Sequence, residues 1–104
     1  MPKSRSTTAK LPPVHPGEIL RETLHDLGLS MNQLAREIHV PASRISTIVA
    51  GKRSITGETA LRLARYFATT PGYWMNLQAR FDLESARAAW EAKVEAEIRQ
   101  RAAA

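Results

Sequence analysis

The groups able to act as general base or metal ligand are His15, His25 and His39, with Glu22 and His25 forming a single Glu-x-x-His pair at i, i+3. A helical carboxylate metal centre needs that pair twice and two further carboxylates, and the chain holds it once. No HExxH, glycine-rich phosphate loop or nucleophile beside a base is present. The absence of cysteine removes disulfides and cysteine-ligated zinc. No enzyme, metal or cofactor is therefore expected, and His15, in the run HPGE, reads as a capping or packing group at a helix start. The chemistry that remains is hydrogen bonding to a polyanion. Ala42, Ser43, Arg44, Ser46, Thr47 and Ala50 are small, polar or basic, and no carboxylate occurs from Ile38 to Thr56. A solvated helix normally mixes Glu with Lys and pairs them at i, i+4, so a face of this kind is expected to meet DNA.

Within it, Arg44 is the expected base reader, since a guanidinium fork makes two parallel hydrogen bonds to guanine, and Thr47 stands one turn away. Ser43 and Ser46 reach bases or phosphates, and Ala42 admits close approach or a thymine methyl. Lys52 and Arg53 follow the segment and read as phosphate contacts, as does Gln33 near a helix N-terminus.

These side chains need two short helices and a sharp turn to hold them. Ser30 is a capping residue with Gln33 three positions on, and Leu34, Ala35 and Ile38 make one apolar face. His39 and Val40 leave room for a tight turn, Pro41 suits a helix start, and Gly51 supplies a left-handed stop after Ala50. Ile45, Ile48 and Val49 then face a core and leave the polar side outward. A preceding helix begins near Pro16, with Leu20, Leu24 and Leu27 on one face and Gly28 as its stop. Thr56 caps a fourth helix bearing Ala60, Leu61, Leu63, Ala64 and Phe67, and Thr70 with Pro71 opens a fifth bearing Trp74, Leu77 and Phe81. The Ala-, Glu- and Arg-rich stretch from Glu84 to Ala104 is expected to be a helix that frays at its end, with Glu95–Arg99 and Glu97–Arg101 in the favourable order. No strand pattern occurs, so the class is all-α: a five-helix domain over 15–83, a basic N-terminal arm over 1–14 and a C-terminal helical extension over 84–104.

The 104 residues suffice for one modest core, and the formal charge of +5 suits a polyanion partner. The distribution is more telling: 1–14 carry +3, 15–29 carry −2, 30–66 carry +4, and 67–104 balance five basic against five acidic groups. The arm holds Lys3, Arg5 and Lys10 with Pro12 and Pro13, and either touches phosphate or stays unstructured. No apolar run approaches the roughly 20 residues of a membrane span, and the basic N-terminus lacks a signal-peptide core, so a cytoplasmic location is expected.

Four separated runs carry a family resemblance: HPGEIL at 15–20, SRISTIVAGKRSIT at 43–56, TALRLARYF at 59–67 and TPGYWMNLQARFDL at 70–83. Over residues 14–83 the chain resembles the HigA/VapI-type antitoxins of the Xre, lambda-repressor-like helix-turn-helix superfamily. It departs from many such units at His39, where they place glycine. The resemblance implies operator DNA as one partner, read by a homodimer on half-sites about 34 Å apart, and a HigB/RelE-like messenger-RNA endoribonuclease toxin as another. A stand-alone Xre-type repressor without a toxin is the alternative. Tyr73, Trp74, Leu77, Phe81 and Trp90 either close the monomer core or form the dimer surface, with Trp74 the expected core member of the set and Phe81 or Trp90 the expected shared one. The acidic face Glu18, Glu22, Asp26 either meets a basic toxin or is simply solvated.

Overall fold

The structure, a computed structural model, describes residues 11–102; positions 1–10 of the expected arm lie outside the described residues. Five helices follow in order: α1 Pro16–Leu27, α2 Met31–Ile38, α3 Ala42–Val49, α4 Gly57–Phe67 and α5 Pro71–Glu97. The described residues contain no strand.

Most helix ends carry the chemistry that makes them ends. Ser30, Thr56 and Thr70 accept with their hydroxyls from the N–H of Gln33, Thr59 and Tyr73, three residues on, which satisfies donors that a first turn leaves free. At α1 the cap is a ring nitrogen, with His15 Nδ1 accepting from Gly17 N–H at 2.8 Å. Gly28 closes α1 at φ 64°, and the Leu29 N–H donates back to the Leu24 carbonyl at 2.9 Å. At the α2 end His39 adopts φ 62°, so the left-handed turn forms there without glycine. Pro41 stands one residue earlier than expected for a helical position: it is the N-cap of α3, with extended backbone and no side-chain cap.

The core joins Leu20 and Leu24 of α1, Leu34, Ala35 and Ile38 of α2, Ile45 and Ile48 of α3, Ala60, Leu63 and Ala64 of α4, and Trp74 of α5. Val49, Phe67 and Leu77 are partly buried against it. Leu27 and Leu61, expected on apolar faces, are instead each 61% exposed. Leu27 belongs to the face of Leu20 and Leu24 by period but falls past the edge of the core at the last residue of α1. The expected fifth helix and C-terminal extension form one unbroken helix of 27 residues. It ends at Glu97, short of the expected 95–99 and 97–101 pairs, and carries Arg80–Glu84, Arg87–Glu91 and Lys93–Glu97 pairs instead.

Candidate nucleic-acid interface

α3 is seated by α1. Gly17, in the first turn of α1, lies so close to α3 that a Cβ there would stand 1.9 Å from the Ile48 carbonyl oxygen. The HPGE run thus combines a cap at His15, a preset φ at Pro16 and a bare backbone at Gly17. The His15 and Phe81 rings meet in a T-shaped arrangement at 4.8 Å between centroids, which ties the start of α1 to α5.

With Ile45 and Ile48 buried, Ala42, Ser43 and Ser46 of α3 and the C-cap Ala50 are exposed and Thr47 is half-buried beside them. Two hydroxyls are already engaged within the helix. Thr47 Oγ1 donates to the Ser43 carbonyl at 2.6 Å, and Ser46 Oγ donates to the same oxygen at 3.3 Å. A hydroxyl whose proton points inward keeps its lone pairs, so in this arrangement Ser46 and Thr47 offer acceptors, suited to the amino groups of adenine and cytosine.

Arg44 sits apart from the centre of that face. Its side chain is 24% exposed, and its Nη1 lies 3.3 Å from Glu58 Oε1 on α4. It occupies the flank of α3 that meets α4, rather than projecting freely as the helical period alone suggests. Lys52 and Arg53 are exposed just beyond α3. Their loop is fixed at both ends: Gly51 at φ 78° lets the Lys52 N–H donate to the Thr47 carbonyl at 2.9 Å, and Ile55 is buried. Gln33 is exposed in the first turn of α2.

Three contributors to this surface escape a reading of the sequence. The Gln78 carboxamide is buried, accepts from the Ile55 N–H at 2.8 Å and donates to Asp82 at 2.9 Å. It therefore holds the Lys52–Arg53 loop from α5. A glutamine four residues after Trp74 on a core-facing stripe was the available signal. Arg62 donates through Nη1 to the Ile38 carbonyl at 2.9 Å and so caps α2 from α4. Glu58, at i, i+4 to Arg62, bridges that arginine and Arg44.

Of the aromatic set offered for a shared surface, Trp74 is 1% exposed and closes the monomer core, its indole N–H donating to Thr69 Oγ1 at 2.9 Å. That placement removes it from the expected dimer residues. Leu77 and Phe81 are half-buried, and Trp90 is 56% exposed. Of the histidines, His25 is exposed beside Asp26, and the acidic side chains Glu18, Glu22 and Asp26 are all exposed along α1. Among the described residues no helix is long and apolar enough to cross a membrane.

Two short helices at a sharp turn, the second presenting a carboxylate-free face beside a basic loop, define a helix-turn-helix DNA-binding protein. The chain belongs to the Helix-turn-helix family, whose model matches residues 20–74, and within it to the HigA/VapI-type antitoxins, a non-enzymatic group. It is 50% identical over 78 residues to virulence-associated protein I of Dichelobacter nodosus, covering 74% of this chain and 72% of the relative. An addiction module antidote protein of the HigA family from Coxiella burnetii matches with a TM-score of 0.85 and 46% identity, covering 88% of this chain and 100% of that one. Antitoxin HigA of Pseudomonas aeruginosa, solved with the higBA promoter, matches with a TM-score of 0.83 and 43% identity over 86% and 99% of the two chains.

Proposed function

We propose that this chain is the antitoxin of a type II toxin-antitoxin system: it neutralises a RelE-like messenger-RNA endoribonuclease and, as a dimer on operator DNA in the cytoplasm, represses its own operon. The carrying observation is the outward face of α3, where Ala42, Ser43 and Ser46 are exposed with no acidic neighbour in the helix. In this reading α3 enters the major groove and α2 crosses the backbone. Ala42, Ser43, Arg44, Ser46 and Thr47 read bases, while Gln33, Lys52 and Arg53 hold phosphates. Leu77, Phe81 and Trp90 supply the shared surface, which sets two such units about 34 Å apart on a palindrome. The similarity to an antitoxin solved with its promoter supports the DNA half.

The test has two arms. Arg44→Ala lowers affinity for the duplex upstream of the chain's own gene by about 1–3 kcal/mol and relaxes preference at one base pair per half-site; an unaltered preference removes Arg44 from base reading. In the second arm, co-expression of the chain relieves growth arrest by the product of the adjoining gene. Relief that persists in Arg44→Ala separates the toxin-binding and DNA-binding surfaces. Promoter binding with no relief favours the stand-alone repressor.

A further inference from the structure

Glu58 lies outside the surface assigned to DNA, yet among the described residues it is the carboxylate that reaches α3. Its Oε1 is 3.3 Å from Arg44 Nη1. Its Oε2 is 3.0 Å from Arg62 Nη2 and accepts from Arg62 Nε at 3.1 Å. Arg62 is itself anchored on the Ile38 carbonyl at 2.9 Å. The carboxylate is thereby fixed relative to both helices of the reading unit. The division of its oxygens matters chemically. A carboxylate with both oxygens on Arg44 would close the fork that guanine requires. Here Arg62 takes one oxygen, and Arg44 is held through a single nitrogen, which leaves most of its five N–H donors open.

We infer that Glu58 is a specificity-determining residue: by tethering Arg44 through Nη1 it withholds the guanidinium from nearby phosphates and leaves its remaining edge for a base. This rests on the DNA-reading role of α3 proposed above. An untethered arginine beside duplex is drawn to the backbone, the strongest and sequence-independent field. A restrained one gives up less freedom when it makes a directed contact.

Four proteins test this: the natural chain, Glu58→Gln, Arg44→Ala and the double variant. Each is titrated, over a series of salt concentrations, with the duplex upstream of the chain's own gene and with a scrambled duplex of equal length. Glu58→Gln is expected to bind the scrambled duplex about threefold more tightly, with a salt slope steeper by about 0.9 per subunit. Its ratio of upstream to scrambled affinity is expected to fall about tenfold. In the Arg44→Ala background the same change moves that ratio by less than about twofold. Glu58→Asp, which keeps the carboxylate, retains a ratio within about threefold of the natural one. An unmoved ratio in Glu58→Gln overturns the inference, and so does an equal shift without Arg44, which would make Glu58 a general repulsive charge. A lowered Tm with the ratio intact would make it merely structural. If the natural chain fails to distinguish the two duplexes, the DNA-reading assignment fails first, in an arm that involves no Glu58 variant.

Discussion

The body formed by residues 16–81 and the outer half of α5 are both helical, for different physical reasons. In the body each helix buries a face, most ends are capped, and no buried side-chain nitrogen or oxygen among the described residues lacks a partner. From Asp82 to Glu97 no residue is buried. That stretch relies on alanine-rich propensity and on exposed i, i+4 pairs such as Arg87–Glu91 and Lys93–Glu97, each contributing about 0.2–0.5 kcal/mol. It also presents Leu83, Trp90 and Val94 to solvent. Packing fixes the first region without help; the second holds its shape by local terms and leaves its apolar groups free for another surface.

Substitutions in each region can break or sharpen that contrast. The largest effect belongs to Gly17→Ala, since the new methyl would overlap the Ile48 carbonyl. Driving α1 off α3 should cost about 3 kcal/mol, a fall in Tm of about 12–24 °C, read by thermal unfolding followed by circular dichroism. Tolerance of alanine there would mean that the two helices are less tightly seated than described. Next comes Gln78→Leu, which strands the buried Ile55 N–H at a cost of about 1–3 kcal/mol. Denaturant unfolding gives the magnitude, and amide hydrogen exchange at Ile55 should accelerate. A protected Ile55 amide in that variant would deny the link between α5 and the basic loop. The smallest effect is expected for Trp90→Ala, which should leave the stability of the body within about 0.5 kcal/mol at low protein concentration. Its effect should appear instead as weakened self-association in sedimentation. A large loss of stability in dilute monomer would erase the distinction between the two regions.

What could be read from the chain was local. Ser30, Thr56 and Thr70 announce helix starts, Gly28 and Gly51 announce stops, and the period of Leu34, Ala35, Ile38, Ile45 and Ile48 points inward, because each signal acts within about one turn. Ala68 shows where local signals end: it adopts φ 58° at the close of α4, with no glycine or asparagine to mark it. The contacts that shape the DNA-facing surface are the ones that span the chain. Arg44 meets Glu58 across 14 positions, Gln78 meets Ile55 across 23, and Arg62 meets the Ile38 carbonyl across 24. Spacing within a segment carries no information about such pairs. Trp74 and Trp90, by contrast, are separable by local spacing: Trp74 belongs to the stripe with Leu77 and Phe81 and is enclosed as that stripe suggests, whereas Trp90 lies in the Ala-, Glu- and Arg-rich stretch and stays exposed.

Those two indoles make the molecule its own optical instrument. One is buried with its N–H bound to Thr69, the other exposed, 16 residues further along the same unbroken rod. Replacing either with phenylalanine leaves a single indole, which excitation at the red edge of the tryptophan band isolates from Tyr66 and Tyr73. With Trp74 kept, emission shifts to longer wavelength only as the body melts; with Trp90 kept, it shifts to shorter wavelength whenever another surface covers the outer turns of α5. Unfolding and association can then be followed as separate signals, without an attached dye.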